Sequence, residues 1–385
     1  MPLPPGLLQA VQDRYPRYLA ELERLVNIDS GSYSPGGVNR IADAVAASLG
    51  ELGATIERVP HPEGGLGDLV VGRLAGDGPR LLLIGHMDTV FDDGTAADRP
   101  FRVDGDRALG PGTSDMKGGL LAGLQALAAL AGVGVRPAVT FVANPDEEIG
   151  SPFSTPHIRG LAAEHHAALV LECARANGDI VSARKGIADL EVTFTGRAAH
   201  AGVEPEKGRS AILAASHAVV ALHGLNGRWP TVTLNAGVIR GGTRPNVVAA
   251  ECSLKLDVRA ATVDEFEAAN AEVERLLAAR QVQDVTTGVH RLAGHPPMEK
   301  TPGSARLAKL AAAVAAEAGF EVRDTATGGA SDANTTSAAG LPSLDGLGPI
   351  GGDDHSADEW LDLSSVVPRT VMLAGLIARA GDALE

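Results

Sequence analysis

Aromatic side chains are scarce in this sequence, since Phe, Trp and Tyr together make up 3% of its 385 residues. Proteins that bind single-stranded nucleic acid usually stack the bases on such side chains. Acidic residues also outnumber basic ones, and the formal net charge of -15 repels phosphate backbones and anionic membrane surfaces. The composition therefore predicts a protein that binds neither nucleic acid nor membranes.

Cysteine and long hydrophobic runs are scarce as well. Cys173 and Cys252 are far apart in the chain, and buried thiols are the favoured interpretation over a disulfide. No stretch has the length and apolarity of a membrane span, and the amino-terminal stretch lacks the pattern of an export signal. We therefore expect a cytoplasmic protein.

What the chain does contain is aliphatic residues in short runs. The segments "PRLLLIGHMDTV", "AVTFVANP" and "AALVLEC" have the pattern of strands that are buried on both faces. Between the first two, "DMKGGLLAGLQALAALAG" has the length and Ala/Leu content of a crossover helix. Strand, helix and strand in this order predict an α/β fold in which helices flank a layered mixed sheet.

The pattern changes after residue 185. "ADLEVTFTG", "TVTLNAGVIRGG" and "VVAAECSLKLDVRA" alternate as half-buried strands do, and helical stretches lie between and after them. This order suits a small α+β sandwich with an antiparallel sheet. We therefore predict a larger domain made of residues 1–185 and 298–385, with residues 186–297 inserted into it.

Polar residues follow the predicted buried strands, which is where ligand crevices form in open α/β sheets. His86 and Asp88 are two residues apart, so they point to the same side of an extended chain. One can bind a metal while the other accepts the hydrogen bond of the second imidazole nitrogen. Asp115 stands in a Gly-rich turn just before a helix, where the commoner role is an N-cap and a ligand role is the alternative.

Glu147, Glu148 and Glu172 lie at the ends of two other predicted strands. His355 lies in a loop that follows two glycines. Several carboxylates that converge cannot all stay ionised without a compensating charge. Two zinc ions would supply it, and a mixed histidine and carboxylate set suits zinc. Asp115, with two oxygens on a short stem, could bridge ions about 3.5 to 4 Å apart.

Adjacent residues at a strand end face different ways, which separates the roles of the two neighbouring glutamates. Glu148 can bind metal, while Glu147 stays free to take a proton from the attacking water and deliver it to a leaving amine.

The motifs "GHMDTV", "GTSDMKGG", "PDEEIGS", "LECAR" and "DDHSADEW", in this order, resemble those of one di-zinc peptidase family. Its members are glutamate carboxypeptidase, acetylornithine deacetylase, succinyl-diaminopimelate desuccinylase and aminoacylase, and the glutamate carboxypeptidase branch is the most similar. The resemblance covers nearly the whole chain, although "ECAR" departs from the more usual Glu-Pro. It implies two Zn²⁺ per chain, replaceable by Co²⁺ or Mn²⁺, with Glu147 as general acid/base, Asp88 supporting a ligand, and as ligands His86, Asp115, Glu148, Glu172 and His355.

The same resemblance implies a role for the inserted domain as a lid and as the contact of a homodimer. His200 in "AAHAG" matches a histidine that reaches across the dimer and stabilises an oxyanion. Asn246 and Arg259 match groups that bind the free carboxylate of the substrate, although Asn246 could equally be a turn residue and Arg259 a solvated strand end. Gly329 belongs to glycines that line the substrate pocket.

Residue 295 concerns specificity. Glutamate-releasing members of this family carry an arginine at the position that matches His295. Because a histidine is largely uncharged at neutral pH and lacks the guanidinium fork, we expect a relaxed preference for glutamate. Arg291, four residues before His295, is the alternative cation for that side chain.

The leading expectation is a zinc-dependent carboxypeptidase that hydrolyses an amide bond next to a free carboxylate in a small peptide. The alternative is an N-acyl amino acid deacylase of the same family. A non-catalytic binding protein on this fold is a remote alternative, since such proteins usually lose a base or a ligand.

Overall fold

The computed structural model describes residues 2–279 and 282–384. Within them the chain forms two compact units. The second unit comprises Arg184–Glu299 together with Gly328–Ala330, and the first unit comprises the remainder. The predicted boundaries, 185/186 and 297/298, each lie two residues from these divisions, whereas the assignment of Gly328–Ala330 to the second unit was not predicted.

The strands and helices are numbered in chain order. The strands are β1 (Thr55–Val59), β2 (Leu69–Leu74), β3 (Asp77–His86), β4 (Arg102–Asp104), β5 (Arg107–Leu109), β6 (Pro137–Asn144), β7 (Ala167–Val170), β8 (Ile180–Arg184), β9 (Gly186–Thr195), β10 (Thr233–Gly241), β11 (Glu251–Ala260), β12 (Thr286–His295), β13 (Asp324–Thr327), β14 (Ser343–Leu344), β15 (Gly351–Gly352) and β16 (Trp360–Asp362). The helices are α1 (Leu7–Val26), α2 (Pro35–Glu51), α3 (Thr95–Asp98), α4 (Gly118–Gly132), α5 (Thr155–Ala162), α6 (Ala211–His223), α7 (Val263–Ala278), α8 (Pro302–Glu317), α9 (Asp332–Ala338), α10 (Leu363–Arg379) and α11 (Gly381–Leu384).

The first unit is built on a six-stranded sheet with the strand order β1-β2-β6-β3-β7-β14. The pairs β1/β2 and β2/β6 are antiparallel, while β6/β3, β3/β7 and β7/β14 are parallel. The mixed α/β sheet expected from the sequence is therefore confirmed. Strand β3 lies in the middle, so the ends of its parallel neighbours β6 and β7 lie on either side of its own end.

Helix α4 packs against this sheet, as the crossover pattern predicted. Every residue from Gly118 to Leu130 is buried, which explains why the segment is apolar on all sides. At Gly119, an added Cβ would lie 1.8 Å from the carbonyl oxygen of Leu171, so only glycine permits this approach. The contact holds the start of α4 against the segment that leads into Glu172.

The first unit also contains two small sheets that were not predicted. One has the strand order β15-β16-β5-β4, and in the other β13 pairs with β8. Their strands are two to five residues long, too short for a clear alternation of polar and apolar residues. The first of these sheets brings Trp360 next to Leu109, which places the residues before α10 beside the turn before α4.

The second unit is an antiparallel sheet with the strand order β10-β11-β9-β12, together with α6 and α7. Alternate residues of β9 and β11 are buried and share one core with the apolar sides of both helices. The expected α+β sandwich is thus present. The sequence did not predict β12, which contains Gly288 and Gly294 and pairs with β9 at one edge of the sheet.

The structure also bears on the expectations about the two cysteines and about membrane-spanning segments. Cys173 and Cys252 are both free and buried, as predicted. Among the described helices, none combines the length and the apolarity that crossing a membrane requires.

Candidate metal centre

The ends of three neighbouring parallel strands carry most of the predicted ligands. His86 is the last residue of β3, Glu148 lies in the helical turn after β6, and Glu172 follows β7. The parallel register of β3 with β6 and β7 brings these three positions to the same edge of the sheet.

Asp115 lies between two histidines. Its Oδ1 is 2.9 Å from Nε2 of His86, and its Oδ2 is 3.1 Å from Nε2 of His355. The N-cap interpretation does not apply, because Lys117 occupies the N-cap position of α4 and no side chain caps that helix. The two distances show that each carboxylate oxygen of Asp115 faces a different imidazole, as a bridging ligand requires.

The two remaining carboxylates divide between the same histidines. Oε1 of Glu172 is 3.7 Å from Nε2 of His86, and Oε2 of Glu148 is 3.1 Å from Nε2 of His355. Two ligands bound at about 2.0 Å in a tetrahedral site would lie about 3.3 Å apart, so these separations fit metal coordination. The structure therefore brings together all five predicted ligands in two overlapping groups that share Asp115.

His355 is the most exposed of these five residues. Its side chain is 55% exposed, whereas that of His86 is 1% exposed. His355 has a φ of 62° and lies in the loop between β15 and β16. A left-handed residue of this kind turns the chain sharply, which directs the imidazole back towards Asp115 and Glu148.

The surroundings of His86 define its tautomer. Its Nδ1 lies 3.0 Å from the backbone carbonyl oxygen of Asp88, which can only accept, so Nδ1 carries the proton. Its Nε2 faces carboxylate oxygens of Asp115 and Glu172, and a nitrogen in that position either carries a second proton or binds a cation. The sequence assigned the Nδ1 contact to Asp88, but the carboxylate oxygen is farther from Nδ1, at 3.4 Å, than the backbone oxygen.

The carboxylate of Asp88 has a different main role. It is fully buried and accepts hydrogen bonds from the backbone nitrogens of Glu147 and Glu148, each at 3.1 Å. The hydroxyl of Ser32 donates a third hydrogen bond to it at 2.6 Å. Asp88 thus fixes the backbone of the turn that carries both glutamates.

The electrostatics of the site favour a bound cation. Hydrogen bonds to Asp115 and Glu148 raise the pKa of His355 to about 10. Burial by itself would lower the pKa of His86, but its contacts with Asp115 and Asp88 raise it well above the ordinary value. Both imidazoles are therefore driven to hold positive charge beside the converging carboxylates, and a metal ion satisfies the same demand with a mixed nitrogen and oxygen donor set.

Glu147 lies close to the same group. Burial, opposed by the charge of His86, raises the pKa of its carboxyl well above the usual range. Ligand atoms of His86, Glu147 and Glu172 all lie within 4.8 Å of one another, as do those of His86, Asp115 and Glu148. Distance alone thus permits Glu147 to act as a ligand or as a base, and the assignment as base stays a prediction.

Glu359 belongs to the site but was not predicted. It is 1% exposed, and its Oε2 accepts from the backbone nitrogen of Gly112 at 2.9 Å. Its Oε1 accepts from the backbone nitrogens of Ser114 and Asp115, at 2.8 and 3.1 Å. Glu359 thereby holds the turn that carries the bridging aspartate. Its position four residues after His355, in "HSADEW", was the only signal in the sequence.

A buried polar network behind the glutamate turn was also missed. Nδ2 of Asn144 donates to Ser151 and Asp332, at 2.9 and 2.6 Å, and the Ser151 hydroxyl donates to Asp332 at 2.7 Å. Ser151 has a φ of 53°. The network ties the end of β6 to the start of α9 and so limits the movement of the turn between Asn144 and Ser151.

The remaining predicted residues lie in the second unit. His200 is exposed, and its Nδ1 accepts from the backbone nitrogen of Gly202 at 3.2 Å. Asn246 is exposed on the neighbouring segment, where its backbone carbonyl oxygen accepts a hydrogen bond from the backbone nitrogen of Ala201. Their proximity arises from the bridge that pairs His200 with Val247.

Arg259 is already engaged with a carboxylate of its own strand. Its Nε and one terminal nitrogen donate to Asp257 at 2.9 to 3.0 Å, and its other terminal nitrogen donates to the carbonyl oxygen of Gly328 at 2.8 Å. A guanidinium has five N–H donors, so two remain for other acceptors once these contacts are counted. Gly329 accepts from Arg184, and His295 is 8% exposed at the end of β12, where it pairs with Ile187.

Comparison with known proteins identifies the class. Peptidase family M20/M25/M40 matches residues 82–379. The chain is 34% identical over 381 residues to carboxypeptidase G2 of Pseudomonas sp. (strain RS-16), covering 97% of this chain and 92% of the relative. It is 30% identical over 235 residues to acetylornithine deacetylase of Proteus mirabilis (strain HI4320), covering 57% and 59% of the two chains. A tripeptidase structure from Staphylococcus aureus has a TM-score of 0.79 at 22% identity, covering 96% of this chain and 99% of that one.

The protein is therefore a metal-dependent hydrolase. It belongs to peptidase family M20/M25/M40, because the family match spans most of the chain and includes the predicted ligands from His86 to His355. The expected resemblance is confirmed, and with it the expectation of an enzyme. The remote alternative of a non-catalytic binding protein is set aside.

Proposed function

We propose that this enzyme is a carboxypeptidase with two zinc ions per chain, which hydrolyses an amide bond next to a free carboxylate and releases the carboxy-terminal amino acid. The observation that carries the proposal is the position of Asp115, with one carboxylate oxygen 2.9 Å from His86 and the other 3.1 Å from His355. His86, Asp115 and Glu172 would hold one ion, and Asp115, Glu148 and His355 the other. Cobalt or manganese could replace zinc in such a set.

When bound, the ions would polarise the scissile carbonyl and lower the pKa of the attacking water. Glu147 accepts the proton that this water loses as its oxygen bonds to the carbonyl carbon. The same carboxyl then gives a proton to the leaving nitrogen while the C–N bond breaks. Asp88 positions Glu147 through its backbone nitrogen, and His200 stabilises the oxyanion.

The free carboxylate of the substrate is assigned to Arg259, with Asn246 as a second donor. Two N–H groups of the guanidinium remain after its contacts with Asp257 and Gly328, which is the number that a bidentate carboxylate contact needs. Gly329, next to Gly328 in the chain, is assigned to the wall of the substrate pocket. His295 does not replace an arginine there, so preference for a glutamate side chain is relaxed.

An N-acyl amino acid deacylase is the second candidate. The similarity to an acetylornithine deacetylase over 57% of this chain favours it. Both candidates break the same kind of bond next to the same carboxylate. They differ only in whether the acyl half is a peptide or a simple acyl group.

We also propose that the enzyme is a homodimer formed through the second unit. Strand β10 is an edge strand of its sheet, and helix α6 packs beside it. Apolar side chains on both elements are exposed, for example Val220 at 75% and Ile239 at 50%. An edge strand and an apolar helix face of this kind suit pairing with a second copy. The cytoplasmic location stays a prediction from the sequence.

A substrate panel tests the proposed activity. Zinc-loaded enzyme would be given dipeptides, N-acyl amino acids and the corresponding amides without a free carboxylate, and the released amino acid would be measured. We expect hydrolysis only of substrates with the carboxylate. The kcat/KM for release of glutamate should be less than a hundred times that for release of alanine or leucine. A hundredfold ratio would correspond to about 2.7 kcal/mol of discrimination in the transition state. Equal hydrolysis of the amides would contradict the role of Arg259.

A further inference from the structure

The thiol of Cys173 connects two segments that carry predicted metal ligands. Cys173 directly follows Glu172, just after β7, and Asp354 directly precedes His355 in the loop between β15 and β16. The Sγ atom of Cys173 lies 3.5 Å from Oδ2 of Asp354, across 181 residues of chain. A thiol is a weak donor and a carboxylate oxygen accepts, so Cys173 donates this hydrogen bond.

Arg175 defines the direction of that hydrogen bond. Its Nη2 lies 3.4 Å from Sγ of Cys173 and 3.1 Å from the Cys173 carbonyl oxygen. Because a guanidinium can only donate, the sulfur accepts from Arg175 and its own proton points to Asp354. The segment "ECAR" has this cysteine where Glu-Pro is more usual, and a proline side chain could make neither contact.

The carboxylate of Asp354 depends on this donor. Cys173 is 3% exposed, so little water reaches the contact. The other carboxylate oxygen, Oδ1, is buried and has no hydrogen-bond partner in the part of the chain that the structure describes. Loss of the thiol would therefore remove the donor that holds Asp354 in its position.

The loop around Asp354 has a backbone that needs such contacts. Asp353 and His355, on either side of it, have φ values of 56° and 62°. Residues other than glycine rarely adopt this region, and they persist in it where the surrounding structure holds them. The indole nitrogen of Trp360 holds Asp353 at 2.9 Å, and the thiol of Cys173 holds Asp354.

The two predicted ion positions depend on this loop to different degrees. His355 is exposed, and its imidazole moves with the loop. His86 is buried, and the backbone carbonyl oxygen of Asp88 fixes its ring from 3.0 Å. The carbonyl oxygen of Glu172 accepts from the backbone nitrogen of Gly348 at 2.8 Å, a contact that does not involve the thiol. Release of the loop would therefore displace His355 and leave the ligands of the other ion in place.

We infer that Cys173 is a positioning residue of the metal centre, which strengthens binding of the ion at His355 by holding Asp354. The ion at His86 does not depend on it. This inference rests on the proposed two-ion centre.

The test measures metal affinity and does not depend on the substrate. Metal-free protein is titrated with Co²⁺ in competition with a chelating indicator, which resolves two stepwise dissociation constants. His355→Ala, which removes a ligand, shows which step belongs to His355. Cys173→Ala should raise the Kd of that step about tenfold and leave the other within about twofold. Cys173→Ser, which keeps a hydroxyl donor, should stay within about threefold of wild type at both steps.

A double-mutant cycle isolates the contact itself. Asp354→Ala should weaken the same step by about the same factor as Cys173→Ala, and the double variant should be no weaker than the weaker single variant. Losses that multiply to about a hundredfold would mean that the two residues act separately, which contradicts the inference. Asp354 lies in a partly exposed loop, so its variant also tests the inference if Cys173→Ala does not fold.

The matched control is Cys252, the buried thiol of the second unit. Its sulfur lies 3.9 Å from the carbonyl oxygen of Ser253. Cys252→Ala makes the same chemical change and should leave both dissociation constants unchanged. Unfolding temperatures of the metal-free variants show that each one is folded.

The outcomes separate the two hypotheses. If the wild-type protein binds no metal, the proposed two-ion hydrolase is wrong and the inference falls with it. If wild type binds two ions and is active, but Cys173→Ala changes neither step or weakens both equally, the role of Cys173 is overturned while the proposed activity stands.

Discussion

The backbone nitrogen of Glu147 donates a hydrogen bond to the carboxylate of Asp88 at 3.1 Å. The second carboxylate oxygen of Asp88 accepts in the same way from Glu148. One buried aspartate therefore sets the direction of two neighbouring glutamates, and the proposed division between base and ligand depends on that geometry.

Glu147 and Glu148 are expected to respond differently to the same substitution. Glu147→Gln removes the proton acceptor, so kcat should fall by a factor of about 100 to 10,000 while the metal content stays close to two per chain. Glu148→Gln removes a ligand and should lose metal as well as activity. Elemental analysis of both purified variants, beside kcat, checks the division. Equal metal loss in the two variants would show that Glu147 is itself a ligand.

Removal of the metal should destabilise the protein. Without a cation, the carboxylates of Asp115, Glu148 and Glu172 repel one another in a poorly hydrated site. Zinc present at 1,000 times its Kd would add about 4.1 kcal/mol to the free energy of unfolding. We expect chelation to lower the unfolding temperature and abolish hydrolysis, and zinc to restore both. An unchanged unfolding temperature together with full activity after chelation would count against a resident metal.

Glu359→Gln should weaken metal binding. The amide nitrogen of glutamine cannot accept a hydrogen bond, so at least one of the three backbone N–H groups at Gly112, Ser114 and Asp115 would face another donor. The turn that carries Asp115 would shift, and metal affinity should fall about 10- to 100-fold.

A competition titration with a chelator measures the affinity of the Glu359 variant, and the absorption spectrum of the cobalt-loaded protein reports the geometry. The matched control is Asp358→Asn, which makes the same chemical change at the exposed neighbouring residue. The same affinity and spectrum in both variants would show that Glu359 has no effect on the metal centre.

Mixed dimers test the proposed role of His200 across the interface. His200→Ala and Glu147→Ala chains should each be nearly inactive as homodimers. After subunit exchange, a mixed dimer would contain one site with both residues intact, and some activity should return, up to about half per mixed dimer. Absence of recovery in verified mixed dimers would mean that His200 acts within its own chain or has no catalytic role. A monomer in solution would contradict the dimer itself.

Much of the first unit could be predicted from the sequence because its signals are local. The apolar runs that form β3, β6 and β7 are buried on both faces, and α4 has the composition of a helix buried on all sides. Since parallel strands end at one edge of a sheet, the polar residues after them had to converge. The convergence of His86, Glu148 and Glu172 at one sheet edge followed from that argument, while their assignment as ligands was implied by the family resemblance.

Other parts of the site depend on contacts between residues that are distant in the chain. Glu359 reaches the nitrogen of Ser114 across 245 residues, and the carboxylate of Asp88 reaches the nitrogens of Glu147 and Glu148 across 59 and 60. Asp115 had the local pattern of an N-cap, yet both of its oxygens face histidines. The sequence left Arg259 as either a carboxylate-binding group or a solvated strand end, yet Asp257 and Gly328 already accept from three of its five N–H donors.

The sequence by itself determined the types of chemical group and the strand ends that carry them, because hydrophobic periodicity and residue chemistry act over a few neighbouring residues. Only the tertiary structure decided which oxygen faces which histidine and which buried carboxylate holds the turn before α4. Those outcomes depend on how helices and strands pack, and packing is determined by the burial of many side chains at once rather than by any local segment.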